Sequence, residues 1–131
     1  MNDEIKREVL NKVLSTDDWI YIGKDKYRFN NVVIHARFCS NNIRAPYKYK
    51  FNINPNTLSA NYELWICGSP EIYYLLPNSI ICEFYNSPNA YVDKRHPEIK
   101  IVSVDTNFHS ATYAKGGQSH SLYSYYLSTL T

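Results

Sequence analysis

The chain has 131 residues, 44% of them hydrophobic and 20% charged, with a formal net charge of +2. That length fits one domain, residues 1–131, with a single sizeable core. No run reaches the ~20 apolar residues of a membrane span. The charged opening MNDEIKREVLNKVL has no apolar signal-peptide centre, and Cys39, Cys67 and Cys82 lack C-x-x-C spacing, so neither a disulfide framework nor a zinc knuckle is expected. A cytoplasmic protein with reduced thiols and no membrane partner follows as the expectation.

Residues 3–14 are predicted to be helical. Asp3 caps the segment, Glu4 suits the positive end of the helix dipole, and Ile5, Val9, Leu10, Val13 and Leu14 form one apolar stripe. Residues 19–22 read as a short strand stopped by Gly23, and residues 31–39 as a longer strand apolar enough to lie centrally in a sheet. Residues 47–53 alternate: Tyr47, Tyr49, Phe51 and Ile53 share one face, Lys48, Lys50 and Asn52 the other. That predicts a half-exposed strand with a basic outer face. Residues 62–67 and 72–76 predict a hairpin turning at Gly68-Ser69-Pro70 and ended by Pro77. Ser79 is placed as the cap of a short helix over Ile80, Ile81 and Phe84. Residues 86–97 read as an excursion loop, 98–104 and 108–113 as strands, Gly116-Gly117 as a turn, and 121–130 as a closing helix or strand. The order predicts an α+β fold: a mixed central β-sheet with an N-terminal helix and one or two further helices packed on it.

Charge is unevenly distributed. Residues 24–50 hold Lys24, Lys26, Arg28, Arg37, Arg44, Lys48 and Lys50 against Asp25 alone, while both flanks carry more acids than bases. Such a block predicts an anion-binding face, with Lys24, Lys26, Arg28, Arg44, Lys48 and Lys50 as candidate nucleic-acid contacts. Tyr27, Phe29, Tyr47 and Tyr49 are interleaved with them. On residues 47–51, however, strand alternation sends tyrosines and lysines to opposite faces, so the lysines meet phosphate alone. Steep salt dependence and modest base specificity are expected.

Metal-dependent nucleases place an acidic pair on a sheet to hold magnesium, with a lysine nearby, often as Glu-x-Lys on one strand. Glu98-Ile99-Lys100 is a literal copy, with Asp93 before it, and reads as an exposed strand opening. A positional candidate is His35-Ala36-Arg37, with Asp17, Asp18 and Asp25 upstream. His and Arg there share a face, and Arg grips phosphate bidentately, but Arg is no base and neutral His is a poor magnesium ligand. His96, His109 and His120 are scattered without metal-site spacing, and Lys115-Gly116-Gly117-Gln118-Ser119 is a turn, too short for a phosphate loop.

Tyr49-Lys50-Phe51-Asn52-Ile53, then Ala60-Asn61-Tyr62-Glu63-Leu64-Trp65-Ile66-Cys67-Gly68, then Glu71 through Pro77 resembles the strands that follow the active site in PD-(D/E)XK restriction-endonuclease-like proteins. The resemblance covers roughly residues 30–80 and rests on hydrophobic pattern and a terminal proline. It implies a restriction-endonuclease-like fold, DNA as partner and magnesium as cofactor. It assigns Asp18, His35 and Arg37 as the catalytic residues, with Asp18 as metal ligand. The sequence departs from the pattern: Asn61 stands where an Asp is common, and His35-Ala36-Arg37 replaces Glu-x-Lys. A DNA-directed protein with a degenerate or rearranged endonuclease site follows, and a homodimer if both strands of a duplex are cut. Two alternatives stand beside it. One is a non-catalytic nucleic-acid-binding module. The other is a small phage or mobile-element protein that inhibits a host protein through its tyrosine-rich surface.

Overall fold

The structure, a computed structural model, describes residues 2–130. Helix α1 (Asn2–Leu14) opens the chain, and its predicted stripe is buried at Val9, Leu10, Val13 and Leu14. Ser15, in the left-handed region at φ 55°, ends it. Strands β1 (Ile20–Gly23), β2 (Lys26–Phe29) and β3 (Val32–Cys39) then form an antiparallel meander. The sequence reading missed β2, because four residues between two tight turns carry too short a period to register.

The chain next leaves this sheet. Strand β4 (Lys48–Ile53) lies in a second sheet, and a 3-10 turn over Pro55–Thr57 leads back to β5 (Tyr62–Cys67). Strand β5 pairs in parallel with β3, so the β4 excursion is the crossover that parallel pairing requires. Strand β6 (Tyr73–Pro77) completes the predicted hairpin with β5. The first sheet is therefore mixed, in the order β1-β2-β3-β5-β6.

Helix α2 (Asn78–Asn86) follows directly. Its N-cap is Pro77, so Ser79 lies inside the helix and does not cap it. Strands β7 (Lys100–Asp105), β8 (Ser110–Ala114) and β9 (Gln118–Ser121) build the second sheet on β4, antiparallel throughout, in the order β4-β7-β8-β9. The closing segment is neither the predicted helix nor a long strand. After a 3-10 turn at Tyr123–Tyr125 it runs along β6, where Leu127 donates to the Tyr73 carbonyl, and ends with Leu130 donating to the Val13 carbonyl.

The molecule is thus α+β in three layers, and the layering explains the burial. One face of the mixed sheet (Tyr27, Ile34, Ala36, Leu64, Ile66, Tyr73, Leu75) packs on α1. The opposite face (Trp65, Cys67, Tyr74, Leu76) packs on Tyr49, Phe51, Ile53, Val102 and Val104 of the second sheet and on Ile81 and Phe84 of α2. Strands β5 and β6 are covered on both faces, so they read as continuous apolar runs. Strand β4 has one wet face, so it alternates as predicted. The expectation of helices covering the central sheet is corrected on one side, where a second sheet does most of the covering. Among the described residues the three cysteines are free thiols, and no helix is long and apolar enough to cross a membrane.

Candidate functional site

Parallel pairing of β3 and β5 sets His35 beside Glu63 and Arg37 beside Trp65. These side chains sit on the face that looks toward the second sheet, and there they converge. Glu63 is 1% exposed and His35 7%. A carboxylate so far from water needs donors on both oxygens. Arg37 Nε donates to Oε1 at 2.6 Å, and Trp65 Nε1 approaches the same oxygen at 3.4 Å. His35 Nδ1 lies 3.1 Å from Oε2. The same nitrogen lies 3.3 Å from Arg37 Nη2, so His35 Nδ1 is shared between the carboxylate and the guanidinium. Burial pushes the Glu63 carboxyl up, but the His35 hydrogen bond and the Arg37 charge outweigh it and hold the group below its ordinary value. Arg37 extends the cluster across the layers, because its Nη1 donates to the Asn52 carbonyl of β4 at 2.9 Å. The three side chains thus join the two sheets.

Asp18 does not join this cluster. It lies between α1 and β1, exposed, where its backbone N–H donates to Thr16 Oγ1. Strand β1 pairs with β2 and β2 with β3, so Asp18 is two strands away from His35, at about 4.8 Å per strand. The carboxylate that meets His35 and Arg37 is Glu63. Its signal in the sequence was a lone acid inside the apolar run Tyr62–Cys67, a placement that demands a buried cationic partner.

The donor set does not fit magnesium. That ion takes oxygen ligands in an octahedron, commonly from more than one carboxylate. Here both oxygens of Glu63 are held by Arg37 and His35, and the remaining neighbours are nitrogen donors. Among the described residues no group of three His, Cys, Asp or Glu side chains is placed to hold a metal ion. Asp93, Glu98 and Lys100 fall on the excursion loop and the start of β7. Asp93 turns inward to accept from the Arg95 and His96 amides.

The predicted cationic residues form two groups. Lys26 and Arg28 project from β2 on the face that carries His35, and Lys26 is directly opposite it in register. Lys26 Nζ donates to Ser59 Oγ at 2.5 Å, on the rim of an open cleft of about 610 Å³ between the start of β5 and the start of α2. Asn78, the first residue of α2, lines this cleft and keeps a buried Oδ1 without a partner. The second group, Lys48 and Lys50 on the exposed face of β4 and Arg44 on the preceding loop, lies where β3 ends. Lys24, in the β1–β2 turn, is near the same end, since Ala36 donates to the Asp25 carbonyl.

Asp25, the one acid in the basic stretch, is engaged by Lys6 of α1 at 2.9 Å. Among the described residues no ion pair engages Lys24, Lys26, Arg28, Arg44, Lys48 or Lys50. Of the interleaved aromatic rings, Tyr27 and Tyr49 are core residues, while Tyr47 is exposed, with Lys48 Nζ 5.9 Å from its ring centre. Comparison of the chain with protein-family models, curated proteins and solved structures returns no match.

Proposed function

We propose that this chain is a nucleic-acid-binding module, directed to DNA, built on a restriction-endonuclease-like framework that no longer cleaves. The observation that carries the reading is the placement of charge. Six cations stand outside any ion pair among the described residues, and the single acid of their stretch is neutralised by Lys6. Unpaired surface cations at this density favour a polyanion. The framework reading is supported by the order of α1, the β2–β3 hairpin, β5 parallel to β3, and β6 closing on Pro77. The loss of cleavage is supported by the cluster on β3 and β5. Where a nuclease of this kind needs a free carboxylate and a lysine, Arg37 and His35 consume the one carboxylate in place.

The test is fluorescence anisotropy with a short DNA duplex, in magnesium and in chelator, across a range of salt. Equal binding in both is expected, with log affinity falling by roughly 0.9 per neutralised phosphate for each unit of log salt. Lys48→Glu with Lys50→Glu should lower that slope by about two contacts. Absence of salt-sensitive binding to DNA or RNA would sink the proposal. Plasmid nicking in magnesium or manganese, lost in Arg37→Ala, would restore the endonuclease reading.

A further inference from the structure

The loop that carries β3 into β4, residues 40–47, presents a side chain for which the fold has no use. Ile43 is 96% exposed. A branched aliphatic side chain held in water gains only when a partner buries it. The loop holds it in place. Asn42 Oδ1 accepts from the Arg44 amide at 3.1 Å, Ala45 donates to the Asn42 carbonyl at 3.2 Å, and Lys48 donates to the Ala45 carbonyl at 3.0 Å. At the base, the Tyr49 hydroxyl lies 2.7 Å from Asn41 Oδ1 and 3.0 Å from the Pro46 carbonyl. Ile43 therefore rides a braced turn, flanked by Arg44.

Next to this turn is a cavity of about 290 Å³. Asn42 and Ala45 of the loop line it together with Cys39, Ser40, Lys48, Lys50 and Ser103, and the lining is largely apolar. Lys48 and Lys50 are exposed on one face of β4 beside it, and two cations on one face suit a backbone phosphate. No acidic side chain lines it. An apolar tip beside exposed cations is the arrangement by which proteins wedge a base step while gripping the backbone.

We infer that loop 40–47 is the element that engages double-stranded nucleic acid. Lys48 and Lys50 take a backbone phosphate at the cavity, and Ile43 enters the minor groove beside it and partly unstacks adjacent bases. This rests on the nucleic-acid reading above and deepens it, naming duplex over single strand and wedge over simple charge contact. A protein partner is disfavoured by the exposed cations Arg44, Lys48 and Lys50 on and beside the loop.

The experiment uses the full chain and a short A·T-rich duplex carrying 2-aminopurine, whose fluorescence rises when it unstacks. The intact protein should raise that signal on binding. Ile43→Ala should abolish the rise and weaken binding by roughly tenfold, with the salt slope unchanged. Lys48→Glu with Lys50→Glu should weaken binding and lower its salt slope by about two contacts. Circular dichroism confirms folding of each variant, which the exposure of all three side chains favours. The inference is overturned if the duplex is bound but Ile43→Ala leaves both affinity and base fluorescence as they were. Stronger binding to a single strand than to the duplex overturns it as well. If the intact chain binds no nucleic acid even at low salt, the nucleic-acid reading itself fails, and Ile43 becomes a contact for a protein.

Discussion

Glu63 shows how one buried charge organises its surroundings. Its two oxygens take donors from β3 and from its own strand, and Arg37 carries the link on to β4. Removing one member leaves the other charge buried without compensation. Glu63→Gln is therefore expected to cost about 3–5 kcal/mol, read as a lower urea midpoint. Replacing Glu63, His35 and Arg37 together with apolar residues of similar volume should be far milder, which distinguishes a stranded charge from lost packing. The cluster also sets an acid limit. The folded Glu63 carboxyl lies below its ordinary value of 4.5, so its contribution is complete above that value and is lost as the pH falls through the lower folded one. Urea titrations between about pH 6 and pH 3 should show stability falling in the intact protein. In Glu63→Gln the part of the fall due to this group should vanish, and an unchanged pH profile in that variant refutes the assignment.

At the scale of elements, the joint between the hairpin and the β3–β4 loop depends on Gly68. Its φ of +80° is one that side chains rarely adopt, and a Cβ there would stand 2.1 Å from Asn41 Oδ1 and 2.8 Å from the Tyr49 hydroxyl. Gly68→Ala should destabilise by about 1–3 kcal/mol. Asn41 is the part that can give way, and in yielding it releases the loop. Hydrogen exchange should therefore quicken across residues 40–47 in Gly68→Ala, and Asn41→Ala should recover part of the lost stability. Independent, additive costs would disprove the coupling. Elements with a clean period were legible in the sequence: α1 from its stripe, β4 from its alternation, the β5–β6 hairpin from its apolar runs and its turn. The four-residue strands β2 and β9 and the closing segment were not. The strands are too short to show a period, and the closing segment is held by bonds to Tyr73 and Val13 that no local pattern encodes.

At the scale of the whole molecule, the basic stretch was legible as charge but not as geometry. Residues 24–50 fold onto two layers, and only register tells that Lys26 faces His35 while Lys48 and Lys50 face solvent from another sheet. The His35–Arg37 pair was found from its position in the order of strands. The carboxylate beside that pair is Glu63 and not the expected Asp18, because parallel pairing of β3 with β5 is a long-range fact that spacing does not disclose.

The same crossover has a consequence in time. Strand β4 lies between β3 and β5 in the chain but, among the described residues, pairs only with β7, which is made much later. Contacts between distant segments form slowly, since chain entropy is lost before they contribute. The two tryptophans sit in separate layers, so each layer has its own reporter. Trp19 packs edge-on to Tyr27 in the helix-covered layer, and Trp65 stacks on Phe51 at 4.5 Å where the sheets meet. In refolding, with one tryptophan changed to Phe at a time, the Trp19 signal should settle first and the Trp65 signal later, with β7. A single shared rate for both would mean that the layers form as one unit. A lag would identify β4, with Tyr49, Phe51 and Ile53 still uncovered, as the segment most prone to association between chains while it waits for β7.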